Sequence, residues 1–275
     1  MKLNVARRKS VRTAVQIALC AALATVGIAR ADDSLRARVD DAQRSEANRA
    51  RDVYRHPYET LSFFGLRDDE TVIEIWPGGA AWWTEILAPW LHDHGHYVAA
   101  LPPDTASDEA LTGNRKFAAR IASDTQRYGG TQVVSFPGAG FVAPNSADAI
   151  LTFRNLHNWL TAGKAEAAFA QFYAALKPGG VLGIEDHRAR TDLPEAQQLK
   201  SGYVREDAAI ALAEAAGFKL VARSEVNANP RDTKDYPDGV WTLPPTYRLK
   251  DQDRARYAAI GESDRFTLRF IKPAN

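Results

Sequence analysis

The chain has 275 residues, with 35 Lys and Arg against 34 Asp and Glu, one cysteine and one methionine. A lone Cys20 excludes a disulfide framework, and cysteine–zinc sites with it. The near-neutral charge forms no basic stripe, which argues against nucleic acid as the main partner.

Residues 1–31 have the order of a secretory signal peptide. Lys2, Arg7, Arg8, Lys9 and Arg12 form a basic start, Thr13 to Ile28 is apolar and uncharged, and Ala29-Arg30-Ala31 is a small-x-small cleavage site before Asp32-Asp33. The apolar run is short for a retained membrane anchor. The residues after Arg7-Arg8 fit a twin-arginine signal poorly, and Leu19 is too bulky to precede a lipidated cysteine. The expectation is an exported, periplasmic protein. Processing would remove six basic side chains and no acid, leaving 29 against 34, a net charge of −5. No later apolar run is long enough to span a bilayer.

Residues 32–66 form an N-terminal helical arm. Residues 34–53 are polar and helix-favouring, with a thin apolar stripe of Leu35, Val39 and Ala42. Arg55-His56-Pro57-Tyr58-Glu59-Thr60 breaks that helix, and Leu61 to Leu66 is an apolar patch leading into the first strand. Strands and helices then alternate over 67–275. Val72–Trp76 is a buried strand carrying Glu74 near its end. The small-residue turn Pro77-Gly78-Gly79-Ala80 follows, then a helix to about Leu91. An acid and a glycine turn after a strand commonly hold nucleotide-like ligands in open α/β sheets. Small residues admit backbone N–H groups to the ligand, and the helix start adds positive potential.

The second strand is Tyr97–Leu101, ended by Pro102-Pro103, and Asp108–Ile121 is helical in pattern. Thr131–Phe136 is the third strand, followed by the loop Pro137–Ser146, and Ala149–Phe153 is the fourth. Lys164–Leu176 is an amphipathic helix and Val181–Glu185 the fifth strand. A helix over Glu206–Ala216 stops at Gly217. Phe218–Ser224 and Phe266–Ile271 are the last two strands. Alternation of this kind, with strands that are continuous apolar runs, implies a mostly parallel sheet covered on both faces. Residues 227–265 are a long polar insertion with Pro230, Pro237, Pro244, Pro245, Trp241, Tyr247 and Tyr257. Such a segment is a lid or binding element, or a surface excursion packed by its own aromatics.

Three local patterns coincide: the Glu74 strand with its Pro77–Ala80 turn; Ser146-Ala147-Asp148-Ala149-Ile150-Leu151-Thr152-Phe153; and Phe172-Tyr173-Ala174-Ala175-Leu176-Lys177-Pro178-Gly179-Gly180-Val181-Leu182. Together they resemble the class I S-adenosylmethionine-dependent methyltransferases, in particular a group of predicted methyltransferases with signal peptides. The similarity runs from about Arg51 to Lys272. The resemblance implies an α/β Rossmann-like sheet of seven strands, mostly parallel, with helices on both faces. The last two strands would form an antiparallel edge. It also implies S-adenosylmethionine as cofactor, lying across the carboxyl ends of the first strands. Glu74 matches the acid that faces the amino-acid end of the cofactor, and Pro77, Gly78, Gly79 and Ala80 line the turn. Ala80 and Ala81 stand where the group often has glycine. Asp104, the nearest acid after the second strand, is the candidate for the ribose hydroxyls, and Asn155 completes the cofactor-binding set. The Lys177-Pro178-Gly179-Gly180 run has a physical reading of its own: it stops a helix sharply and feeds a strand.

Two polar clusters follow adjacent strands, Arg154-Asn155-Leu156-His157-Asn158-Trp159 and Glu185-Asp186-His187-Arg188. Methyl transfer needs in-line approach and, for a protonated nucleophile, a base. His157 or His187 can be that base, and Asp186 can orient a histidine. The alternative is that these residues cap strands and pin loops. The same three side chains also suit two-His-one-carboxylate ligation, although no metal is assigned. Trp82 and Trp83 wall the site or fill the core, Trp90 belongs to the core, and Tyr58, Trp241 and Tyr247 are candidates to close over a substrate. The leading function is methyl transfer to a small or mid-sized acceptor. Against it stand an exported ligand-binding protein of the same fold, and an enzyme of different chemistry on it. The absence of a Gly-x-Ser-x-Gly elbow argues against a hydrolase. The partner is a small molecule, and the acceptor and oligomeric state stay open.

Overall fold

The structure is a computed structural model that describes residues 33–138 and 141–274; the basic and apolar leader, with Met1 and Cys20, lies outside the described residues. Seven strands form one sheet: β1 (Thr71–Ile75), β2 (His96–Leu101), β3 (Gln132–Ser135), β4 (Ala147–Phe153), β5 (Leu176–His187), β6 (Lys219–Ser224) and β7 (Arg265–Ile271). Their order is β3-β2-β1-β4-β5-β7-β6. The first five pair in parallel, and β7 runs antiparallel to both β5 and β6.

Side-chain alternation divides the interior into two layers. Ile73, Ile75, Val98, Ile150, Leu182 and Phe169 belong to one. Val72, Ala99, Leu151, Ile86, Leu61 and Phe64 belong to the other, which the N-terminal arm covers. The chain leaves β1 toward β2 and β3 and returns on the far side at β4. The carboxyl ends of β1 and β4 therefore diverge into a crevice, where open α/β sheets bind their ligands.

Four local features differ from expectation. Pro57–Phe64 is a helix rather than a break and a patch. Pro57 at its first position has no N–H to lose, His56 turns the chain at φ 40°, and Gly65 ends it at φ 72°. The Lys177–Gly180 run lies inside β5, where the pairing with β4 jumps between Ala147 and Ala149. Leu156–Thr161 is a short helix after β4. The insertion carries a 3₁₀ turn at Gly239–Thr242 and a helix at Arg254–Ile260. It packs on itself through Tyr236, Leu243 and Tyr257, and through Val240 against Tyr203. No helix among the described residues is long and apolar enough to cross a membrane.

Gly183 shows how closely the sheet meets the arm. A Cβ there would lie 2.8 Å from Leu151 Cδ2 and 2.9 Å from the Phe64 ring, both fully buried. Gly183→Ala is expected to cost about 1–3 kcal/mol by overpacking, measured by urea denaturation; an unchanged midpoint would show that the arm yields.

Candidate active site

The carboxyl ends of β1, β4 and β5 open on a cavity of about 510 Å³. Trp76, Pro77 and Gly78 enter it from β1, Phe153, Arg154 and Asn155 from β4, and His187 from β5. The short helix Leu156–Thr161 brings His157 to its wall, and the insertion roofs it with Val240, Trp241, Pro244, Pro245, Thr246 and Arg248.

Asp186 is fully buried beneath the two histidines. His157 Nδ1 lies 3.1 Å from its Oδ1, and the His157 backbone N–H donates to Oδ2 at 3.2 Å. The His187 backbone N–H also donates to Oδ1, at 2.7 Å. A carboxylate at Nδ1 selects the tautomer that donates there, leaving the lone pair on Nε2. His187 is fixed instead by Ser263, Nδ1 to Oγ at 2.5 Å, with its ring centroid 5.4 Å from that of His157. Burial pushes the His187 imidazole well below its usual pKa, and repulsion by His157 whenever that ring carries a proton and by Arg154, Arg265 and Arg55 adds to the effect, so it stays neutral. His157, Asp186 and His187 each offer a ligand atom within 4.8 Å of the others. Asp186, however, already accepts three hydrogen bonds. With three of about four acceptor positions taken, the carboxylate is held for an Asp–His dyad rather than a metal cage.

The cofactor-site expectations divide. Pro77, Gly78 and Asn155 line the cavity. Gly78 adopts φ 70°, and a Cβ on it would meet nothing within 4 Å, so the turn presents open backbone. Asn155 Nδ2 donates to Ile75 O at 2.8 Å and ties β1 to β4 across the crevice. Glu74 does not face the cavity. Period-two alternation turns it toward the helix Thr84–Leu91, where its Oε2 accepts from Tyr97 Oη at 2.5 Å and Thr84 Oγ1 at 3.2 Å. Burial outweighs those bonds and raises its carboxyl to about 7. Gly79 is pressed against the helix Asp108–Ala122, its would-be Cβ 3.0 Å from Lys116 Cβ. Ala80 O accepts from Asn48 Nδ2 at 3.1 Å. Asp104 is exposed, accepts from Asn114 Nδ2 at 2.8 Å, and borders a separate cavity of about 700 Å³ beside β3.

The aromatic expectations also divide. Trp76 takes φ 51°, and its Nε1 donates to Phe136 O at 2.8 Å, so the indole crosses the end of β2. Trp82 and Trp83 are buried behind the wall, Trp83 stacked at 4.1 Å on Phe153. Trp90 is in the core, with Nε1 on Ser34 Oγ at 2.9 Å. Trp241 reaches the cavity 6.1 Å from the His157 ring, whereas Tyr247 packs within the insertion. Sequence reasoning did not select Glu262, Ser263 and Arg248 from the insertion, or assign a role to Arg154. The charged run Glu262-Ser263-Asp264-Arg265 directly before an apolar strand was the available signal.

This strand order and crossover pattern define the Rossmann-like fold of the class I methyltransferases. A S-adenosylmethionine-dependent methyltransferase from Aquifex aeolicus superposes with TM-score 0.53 at 14% identity over 88% of this chain and 98% of that one. The [4+2]-cyclase SpnF gives TM-score 0.57 at 15% identity over 86% of each chain. Human N-acetylserotonin methyltransferase, solved in complex with S-adenosylmethionine, gives 0.50 at 16% identity over 83% of this chain and 54% of that one. No protein-family model and no curated protein matches the sequence.

Proposed function

We propose that the protein is an S-adenosylmethionine-dependent methyltransferase acting on a small or mid-sized acceptor. The observation that carries this reading is the cavity at the β1–β4 crevice with the His157–Asp186 dyad in its wall. Its volume suits a small-molecule site. The open backbone of Pro77–Gly78 and the oxygen of Asn155 fit the amino-acid end of such a cofactor, and the Trp76 indole offers an apolar face to its nucleoside end. When bound, S-adenosylmethionine supplies a methyl group activated on a sulfonium. His157 Nε2 would take the proton of the acceptor as the acceptor's nucleophilic atom bonds to the methyl carbon and the carbon–sulfur bond breaks to release a neutral thioether, while Asp186 would stabilise the imidazolium. The insertion excludes water from above through Trp241 and Pro244–Pro245. Neutral His187 carries no charge to oppose that proton.

A second reading, a ligand-binding protein or an enzyme of other chemistry on this fold, is favoured by the burial of Glu74 against Tyr97 and Thr84, away from the cavity. A cyclase among the structural neighbours shows that the fold is not tied to one reaction. Calorimetric titration of the purified protein with S-adenosylmethionine and S-adenosylhomocysteine separates the two: micromolar binding of both is expected, and no heat from either would discard the transferase. We also propose that the protein is exported, on the strength of the leader. Cell fractionation with N-terminal sequencing should find a periplasmic chain beginning at Asp32; a cytosolic chain beginning at Met1 would refute this. Compartment also bears on cofactor supply, because S-adenosylmethionine is a cytosolic metabolite.

A further inference from the structure

Four arginines gather under the arm side of the cavity and outnumber the acids paired with them. Arg51 Nε donates to Glu262 Oε1 at 2.6 Å and Arg55 Nε to Oε2 at 3.3 Å. Arg265 Nη1 lies 2.9 Å from Glu185 Oε1 and 3.6 Å from Glu262 Oε2. Arg154 completes the group. Burial pulls its guanidinium below the usual pKa, Glu262 opposes the effect, and Arg51 and Arg265 reinforce it. Two carboxylates thus face four cations. Arg51 Nη2, Arg55 Nη2, Arg154 Nε and Arg265 Nε are all buried without an acceptor among the described residues, as are the Nε atoms of Arg44, Arg127, Arg188 and Arg269 elsewhere in the chain. Such groups are costly unless something anionic completes them.

Arg154 is the member that reaches the cavity. It follows β4 in a left-handed conformation, φ 61°, with its backbone N–H donating to Glu185 O at 2.7 Å. A non-glycine residue held there is strained, and such strain gathers at functional positions. Arg248 lines the same cavity from the insertion, its guanidinium 4.6 Å from the Trp241 ring centroid. The charges coupled to Arg154 come from Glu262 in the insertion, Arg51 in the arm, Arg265 in β7 and Glu185 in β5. We infer that the methyl acceptor carries an oxyanion, a carboxylate or a phosphate, which docks on the guanidinium of Arg154. Arginine suits this task because its planar fork donates two parallel hydrogen bonds to such groups. The inference rests on the transferase reading for the word acceptor, although the anion site stands on the arginines alone.

The probes are succinate and inorganic phosphate, titrated calorimetrically into the full protein loaded with S-adenosylhomocysteine. Binding of at least one is expected, weakened by salt and weakened tenfold or more in Arg154→Gln, with S-adenosylhomocysteine affinity changed less than threefold. Arg154→Lys, which keeps the charge and loses the fork, should weaken the anion about fivefold and serves if the glutamine variant does not fold. Failure of both anions to bind the wild type, or equal binding by the variants, overturns the inference. If Arg154→Gln instead loses S-adenosylhomocysteine but keeps 5′-methylthioadenosine, which lacks the carboxylate, the anion belongs to the cofactor and the acceptor assignment falls. A wild type that ignores S-adenosylhomocysteine yet binds phosphate through Arg154 keeps the anion site and removes the transferase.

Discussion

His157→Gln is expected to lower turnover by about 10²–10⁴-fold, the usual contribution of a positioned general base. S-adenosylhomocysteine affinity should stay within about threefold of wild type. The measurement is S-adenosylhomocysteine formation from S-adenosylmethionine with a pool of small anionic metabolites, alongside calorimetric binding. Glutamine keeps a polar side chain of similar reach but supplies no basic nitrogen. Asp186→Asn should cost turnover comparably and disturb more of the fold, because Asp186 accepts from the His157 and His187 backbone N–H groups as well as from Nδ1 of His157. An amide there can turn its NH₂ toward His157 and impose the wrong tautomer, as substitution of an orienting carboxylate does elsewhere. Wild-type turnover in His157→Gln would reduce the dyad to a cap on two strand ends.

Glu74→Gln is expected to change how stability depends on pH. Burial raises the Glu74 carboxyl from 4.5 to about 7. Between those values the folded protein keeps a proton that the unfolded chain has released, so this group's contribution to stability falls as pH rises across the window. The shift corresponds to roughly 3 kcal/mol lost by the alkaline end. Two other groups act differently. His187, held well below its usual range, favours the folded state as pH rises through the unfolded value. Glu262, held at about 2 by Arg55, Arg265 and Arg51 despite burial, adds stability that is lost only as pH falls from about 4.5 through 2. The difference between wild type and Glu74→Gln isolates Glu74 from both. Urea unfolding at several pH values should show the variant gaining about 3 kcal/mol on wild type between pH 4.5 and 8. Parallel curves would mean that Glu74 ionises freely and reaches water.

The strands and most long helices were legible because their signals are local. Continuous apolar runs marked β1, β4 and β5, and Pro102-Pro103 and Gly217 marked ends that the structure keeps. The Pro57–Phe64 helix was missed because a proline that starts a helix has the same letter as one that breaks it. What separates the two readings is the turn at His56 and the contact of Phe64 with the sheet. Leu156–Thr161 is shorter than two helical turns and carries no readable period, although it is the element that lifts His157 to the cavity wall.

The site was legible in part for the same reason. His157, Asp186 and His187 stood at the ends of neighbouring strands, so a parallel sheet had to bring them near one another. Glu74 was placed on the ligand because the motif looks the same whichever face the acid takes. Its direction follows from the parity of β1 relative to the two layers, and from Tyr97 and Thr84 closing over it.

Local chemistry in the chain determined the alternation of elements and the left-handed turn at Gly78. Those depend on neighbours within a few residues, where side-chain size and backbone freedom act directly. Tertiary structure alone decided that Arg51 and Arg55 from the arm, Arg154 after β4 and Arg265 at the start of β7 share two carboxylates. That excess of positive charge depends on distances between segments as much as 211 positions apart, and no local pattern encodes such distances.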